Sequence, residues 1–187
     1  MESGIKPLAI DLKAVGVSPE KFAADAAAAL RDNERVEVEA SAAGAILRGV
    51  WELDVDLAIE ELKEALAVRI EWSPPLVLYK EGSRLLEPIM KVRLAVPDDS
   101  VGEVMADLVR RRSTLLGVWG DDEGYCRIDG LAPLANLFGY LNTLRQLSKG
   151  RGKVDVDFHG YQHVPPVDPG PDPNEPAAAA LRAPRSG

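Results

Sequence analysis

The sequence predicts an α+β fold class, in which each of two sandwich domains packs two helices on an antiparallel sheet. The hydrophobic pattern of the 187-residue chain shows strand, helix, strand, strand, helix and strand periodicities, and then repeats that order. Glycine-containing turns separate the two middle strands of each half, as expected for hairpins. Serine, proline and acidic residues mark helix starts in both halves. This split β-α-β order describes two ferredoxin-like domains.

Capping residues and alternation define the elements of the first half. Ser18 as N-cap, Pro19 at the first helical position and Glu20 in the first turn predict a helix over residues 19–31. A second helix is predicted to begin at Asp54 or a neighbour. Its expected apolar stripe consists of Leu57, Ile59, Leu62 and Leu66. Strands are predicted at residues 6–14, 35–40, 45–50 and 68–72.

The second half repeats these signals. Residues 97–100, Pro-Asp-Asp-Ser, are predicted to begin a helix that continues to residue 111. A second helix is predicted over residues 136–147, with Gly150 in the turn that ends it. Residues 121–124 form the predicted hairpin turn. Strands are predicted at residues 89–96, 114–120, 125–131 and 153–164.

Composition and the N-terminal sequence indicate the class of protein and its cellular location. The N-terminus lacks a cationic segment followed by a long apolar run, so neither a signal peptide nor a membrane helix is expected. The single cysteine, Cys126, excludes an intramolecular disulfide. We therefore expect a soluble cytoplasmic protein without a membrane partner. Residues 166–187 are rich in Pro and Ala and contain no large core residues apart from one leucine, which predicts a disordered tail.

The net charge of −8 is unevenly distributed along the chain. Residues 1–85 contain 10 Lys and Arg against 16 Asp and Glu, whereas residues 86–163 contain 10 against 11. Because phosphate neutralisation supplies most non-specific affinity for nucleic acids, this balance argues against general nucleic-acid coating and against DNA binding. It leaves room for a local basic patch in the second half.

No pattern of catalytic or cofactor-binding residues appears. The phosphate-binding motif G-x-x-x-x-G-K-[ST] is missing from the sequence, and no Ser/His/Asp or Cys/His arrangement stands out. The alternation of residues 155–163 predicts one shared strand face for Asp155, Asp157, His159, Tyr161 and His163. The two histidines are then roughly 13 Å apart, too far for one metal ion. We expect no enzyme activity, no cofactor and no metal.

The aromatic residues and the cysteine are interpreted structurally. Trp51, Trp72 and Trp119 are expected in the core or at a domain interface rather than as platforms for bases. Cys126 lies in a predicted strand and is expected to be a small buried hydrophobic residue.

Four motifs in the second half occur in one order: LEPIMKV at 86–92, DLVRRR at 107–112, LFGYLNTLRQLSKGRG at 137–152, and the ending Phe158-x-x-Tyr161-x-x-Val164-Pro165. This half closely resembles the last domain of elongation factor G. The first half more weakly resembles the third domain of that family, through GVWELDVDLAIEELKEAL at 49–66 and WSPPLVLYKE at 72–81. The implied domains are residues 1–81 and 86–165, joined by a linker at 82–85.

The resemblance implies a non-catalytic protein that binds ribosomal RNA and ribosomal proteins and modulates translation elongation. Two basic groups are the implied contacts: Arg110, Arg111 and Arg112, and then Arg145, Lys149 and Arg151. Because the two helices of a split β-α-β sandwich run antiparallel, these groups should lie at opposite ends of the domain.

Other interpretations of these residues stay open at this point. The three consecutive arginines also suit a helix C-terminus, where positive charge is favourable, and residues 150–152 also suit a simple helix cap. The whole chain could instead be a protein-interaction or ligand-binding module without a ribosomal role. It could also be one piece of a split factor that works with a separate translational GTPase.

Overall fold

The computed structural model describes residues 4–81 and 84–165, which form two compact units. The first unit extends to Leu78 and the second begins at Tyr79. Each unit contains one antiparallel sheet with two helices, so the predicted α+β class is confirmed. Lys80 and Leu86 lie on either side of the predicted linker, and their backbones exchange two hydrogen bonds of 3.0 and 2.9 Å. The predicted tail lies outside the described residues.

The first unit has a sheet of order β2-β3-β1-β4, with the short β5 also paired to β1. Ser18 caps α1 as predicted, because its side chain accepts a hydrogen bond from the Lys21 amide. The elements are β1 (Leu8–Ala14), α1 (Pro19–Ala29), β2 (Val36–Ser41), β3 (Gly44–Gly49), α2 (Glu52–Leu66), β4 (Ile70–Trp72) and β5 (Leu76–Val77).

The second unit has a sheet of order β7-β8-β6-β9, in which β6 is the longest strand. The alternate residues Met90, Val92 and Leu94 of β6 are buried and form the centre of the core. The elements are β6 (Leu86–Pro97), α3 (Val101–Arg110), β7 (Thr114–Gly120), β8 (Tyr125–Pro133), α4 (Tyr140–Leu147) and β9 (Lys153–His163).

Three predicted helices differ from those observed. Residues Asp98–Ser100 and Leu134–Asn136 form short 3-10 turns ahead of α3 and α4, and Gly139 at a φ of 68° separates the second turn from α4. Helix α2 begins at Glu52 and buries Val55, Ala58, Ile59 and Leu62. The predicted stripe was therefore wrong at Leu57, which is 58% exposed. The buried set follows the spacing i, i+3, i+4, i+7, and Leu57 lies outside it.

The expectation that five residues of β9 share one face is wrong. Ile89 pairs with Gly160 and Met90 with Phe158, so His159 is an extra residue in the strand. A bulge of this kind reverses the direction of the side chains that follow it. Phe158 and Tyr161 consequently meet with ring centroids 5.3 Å apart, on the face opposite Asp155 and Asp157.

Three residues that were expected to be buried are more exposed to solvent than predicted. Trp51 is buried as expected, but Trp72 is 50% and Trp119 52% exposed. Cys126 is half-buried, and its thiol donates a 3.1 Å hydrogen bond to Asp98 Oδ1, which raises the pKa of the thiol. Within residues 4–81 and 84–165, every helix is too short or too polar to cross a membrane.

The hairpin between β2 and β3 requires glycine at position 44. Gly44 has a φ of 150°, and a Cβ there would lie 2.4 Å from the Leu12 carbonyl oxygen. We expect Gly44→Ala to destabilise the first unit by about 2 kcal/mol, because strain and a backbone clash combine. Amide hydrogen exchange measures the free energy of unfolding of each unit separately.

Gly102→Ala is the matched control for that substitution. Gly102 lies within α3 and has no atom within 4 Å of an added Cβ. This change should stabilise α3 by about 0.5–1 kcal/mol, because alanine favours the helix. Equal exchange rates in Gly44→Ala and the unchanged protein would contradict the close approach at Leu12.

Candidate functional site

Helix α3 ends in a hydrogen-bonded turn that fixes the first basic group. The amide of Arg112 donates to the Val109 carbonyl at 3.0 Å, and that of Ser113 donates to the Leu108 carbonyl at 2.9 Å. This pair of bonds is the Schellman motif, which places its C′ residue in the left-handed region. Arg112, at a φ of 62°, occupies the position where glycine is most common.

The Arg111 side chain lies inside the unit rather than on its surface. Its guanidinium donates to Asp107 Oδ2 at 2.8 Å, to the Asn136 carbonyl at 2.8 Å and to Thr143 Oγ1 at 3.0 Å. It also lies 5.1 Å from the centroid of the Tyr140 ring. Only 14% of this side chain is exposed. Arg111 therefore joins the end of α3 to the start of α4.

The other two arginines of this group differ in exposure. Arg112 forms a salt bridge of 2.9 Å with Glu87, a buried carboxylate on β6. Arg110 is 69% exposed, with one hydrogen bond of 3.3 Å to Asp107. Of the three consecutive arginines, Arg110 is thus the one that extends into solvent.

Helix α4 ends in the same kind of turn. The Gly150 amide donates to the Arg145 carbonyl at 2.7 Å, and Lys149, at a φ of 54°, takes the left-handed position. The buried hydroxyl of Ser148 donates to the Leu144 carbonyl at 2.6 Å and accepts from the Gly152 amide at 2.8 Å. Residues 150–152 thus form a helix cap tied to a buried serine.

The second basic group is more exposed than the first. Arg145, Lys149 and Arg151 are all exposed at the end of α4. Arg151 donates two hydrogen bonds, of 2.9 and 2.8 Å, to the Asp99 carboxylate, and this contact holds the pKa of Asp99 below its usual range. Within the described part of the chain, Arg145 and Lys149 form no side-chain hydrogen bond or salt bridge.

Acidic residues share this end of the second unit. The Asp98 amide donates to the Gly124 carbonyl at 3.1 Å, which brings the β7–β8 turn beside the end of β6. That turn contains three exposed acids, Asp121, Asp122 and Glu123. Arg111, by contrast, contacts the start of α4, so the two basic groups lie at opposite ends of that helix. The end of α4 is therefore a surface of mixed charge.

Two arginines on the sheet face opposite the helices form ion pairs with aspartates of the same sheet. Arg93 on β6 pairs with both Asp155 and Asp157 on β9. Arg127 on β8 pairs with Asp129 at 2.8 Å and lowers the pKa of that carboxyl. The described residues contain no group of His, Cys, Asp and Glu that could hold a metal ion.

Comparison with known proteins finds a sequence likeness that is confined to the second half of the chain. Residues 84–169 match the family model described as elongation factor G C-terminus. Elongation factor G from Jannaschia sp. (strain CCS1) is 46% identical over 89 residues, which span 47% of this chain and 12% of that protein. The second unit is thus an elongation factor G C-terminal-like domain, as its four motifs predict.

A solved structure matches the fold over a longer part of the chain. The crystal structure of a Thermus thermophilus protein has a TM-score of 0.59 and covers 84% of this chain and 41% of its own. At 18% identity, this match shows the fold alone. The likeness of the first half to the third domain of elongation factor G, and the division at residues 81 and 86, stay predictions.

The contacts of Arg111 generate a stability prediction. Arg111→Ala should destabilise the second unit by about 3 kcal/mol, because it removes the donor to Asp107 Oδ2 and to the carbonyls of Asn136 and Phe138. Arg110→Ala removes the same charge from an exposed position and should change stability by less than about 0.5 kcal/mol. Amide hydrogen exchange in α3 and α4 measures the stability change of both variants. Equal effects would show that the Arg111 contacts contribute nothing specific.

Proposed function

We propose that this protein binds the ribosome through its second unit and modulates translation elongation without hydrolysing GTP. The match of residues 84–169 to the elongation factor G C-terminus carries this proposal. The sequence contains no G-x-x-x-x-G-K-[ST] motif for cradling nucleotide phosphates, which supports a non-catalytic role. Binding to ribosomes implies a cytoplasmic location and ribosomal RNA and proteins as partners.

The end of α4 is the surface best suited to contact RNA phosphates. Arg145 and Lys149 are exposed, and the described residues offer them no salt-bridge partner, so phosphate binding would not have to break an existing pair. Exposed Lys and Arg side chains position a protein on nucleic acid through such contacts. Arg110 is the one arginine of its group that extends into solvent at the other end of the unit, so it would add a separate and weaker contact. Arg111 and Arg112 support the fold in this proposal.

The mixed charge at this end favours a second candidate function. Asp98, Asp99 and the acids of the β7–β8 turn lie near the basic residues, and a surface of both signs also complements a protein. Under this alternative the second unit binds a protein, for example a separate translational GTPase, rather than RNA. Salt dependence distinguishes the two candidates, because phosphate contacts release condensed counterions.

Co-sedimentation with purified ribosomes tests the proposal. The double substitution Arg145→Ala and Lys149→Ala should weaken binding and reduce the slope of log K against log salt by about two units, one for each phosphate contact. The double substitution Lys21→Ala and Arg31→Ala removes the same charge from exposed positions of the first unit. This control should bind like the unchanged protein.

Two results would contradict the proposal. Absence of saturable binding by the unchanged protein at low salt would contradict a ribosomal role. Equal losses in both double variants would show that only net charge matters, rather than contacts at the end of α4.

Asp99 should limit the affinity of this surface. Its carboxylate accepts two hydrogen bonds from the Arg151 guanidinium. Asp99→Asn removes the negative charge that holds this pair together and should make Arg151 available to phosphate. We expect binding a fewfold tighter and a salt slope steeper by about one unit. Asp122→Asn makes the same change in charge within the exposed turn and should produce a smaller effect. If Asp99→Asn and Asp122→Asn strengthened binding equally, the effect would be one of net charge and not of Arg151.

A further inference from the structure

A cavity of about 340 Å³ opens on the first unit, beside α2 and the segment that follows β4. Leu8, Ile10 and Val55 line it and are buried, so they form an apolar floor. Trp72 also lines the cavity and is half exposed. The volume falls within the range typical of sites for small ligands or single side chains.

The wall formed by residues 72–75 is held in place before any ligand binds. The Ser73 amide donates to the Asp11 carbonyl at 3.0 Å, and the Asp11 amide donates to Ser73 Oγ at 3.0 Å. Pro74 and Pro75 then restrict the backbone, because their rings fix φ. A preformed wall lowers the entropy lost when a ligand is bound.

The rim of the cavity is acidic. Glu52 and Asp56 lie one turn apart at the start of α2, and both line the cavity. Desolvation, followed by repulsion from Glu60, raises the pKa of Asp56, whereas Lys63 lowers it. The Lys63 ammonium is itself 2.6 Å from Glu60 and 4.6 Å from the Trp72 ring centroid. Asp56 is therefore a carboxylate that a further cation would stabilise.

We infer that this cavity binds a guanidinium or ammonium group carried on an aliphatic stem, as in an arginine or lysine side chain. The stem would pack on Leu8, Ile10 and Val55, and the cationic head would reach the Asp56 carboxylate at the rim. A hydrated metal ion would leave the apolar floor unused, and an anion would be repelled. The acidic balance of residues 1–85, with 10 basic against 16 acidic side chains, favours a basic partner. This inference does not depend on ribosome binding by the second unit.

Nuclear magnetic resonance titration of the full chain tests the inference. Agmatine supplies a guanidinium and an ammonium at the two ends of a four-carbon stem, butylguanidine keeps the guanidinium alone, and butylurea is the neutral analogue of butylguanidine. The blocked peptide acetyl-Gly-Arg-Gly-amide presents the same cation as a protein side chain. The Trp72 indole NH and the Leu8, Ile10 and Val55 methyl groups are the reporters.

Asp56→Asn is the test variant and Asp32→Asn the matched control. Asp32 has a side chain that is 95% exposed and does not line the cavity. We expect saturable shifts at the cavity reporters with agmatine, with butylguanidine and with the peptide, and weaker binding of butylurea than of butylguanidine. Asp56→Asn should weaken agmatine binding about fivefold, because an exposed charge pair contributes up to ~1 kcal/mol. Asp32→Asn should leave it unchanged.

Each other outcome overturns the inference. Shifts that do not saturate, or equal binding of butylurea and butylguanidine, would show that the cavity does not select a cation. Equal affinities in Asp56→Asn and Asp32→Asn would exclude the proposed contact with the rim. If binding is saturable and selective, the relative affinities of peptide and agmatine distinguish a partner's side chain from a free amine as the source.

Discussion

The buried guanidinium of Arg111 is the interaction on which the arrangement of the second unit depends. It bonds to Asp107 at the end of α3 and to the backbone carbonyls of Asn136 and Phe138 ahead of α4. These carbonyls lie in a 3-10 turn and in the glycine-containing junction ahead of α4, where no helical hydrogen bond reaches them. Arg111 supplies the missing donors and also neutralises a nearly buried carboxylate. One side chain therefore stabilises both helix termini and fixes where α4 begins.

Fixing the start of α4 also fixes the surface presented at its other end. The helix runs from Tyr140 to Leu147, and the buried Ser148 hydroxyl then bonds the chain back to the Gly152 amide. Both helices end with a basic residue in the left-handed position, Arg112 in α3 and Lys149 in α4. The two ends have different environments, since Arg112 pairs with buried Glu87 whereas Lys149 is exposed. The same local turn therefore places a basic side chain against the core at the end of α3 and in solvent at the end of α4.

The fold class, the Ser18 cap and the order of the elements other than the short β5 followed from the sequence, because periodicity and capping are local properties. The errors arose where tertiary contacts or single-residue backbone changes decide the outcome. An extra residue at His159 reverses the side-chain direction after it, and alternation alone does not reveal a bulge. Three consecutive arginines look equivalent in sequence, yet Arg111 is buried and Arg110 exposed, because only the former faces the start of α4. The partner of Arg151, Asp99, lies 52 residues away, and no local pattern indicates their contact.

Directed hydroxyl-radical cleavage tests the central claim, that the end of α4 faces ribosomal RNA. Cys126 is the single cysteine of the chain, so Cys126→Ser provides a background in which one new cysteine can carry an Fe(II)-EDTA tether. Gln146→Cys places the tether at the exposed end of α4, and Val109→Cys places it at the exposed end of α3. We expect stronger, localised cleavage of ribosomal RNA from position 146 than from position 109. Absence of cleavage from position 146, or cleavage as strong from position 109, would contradict that claim.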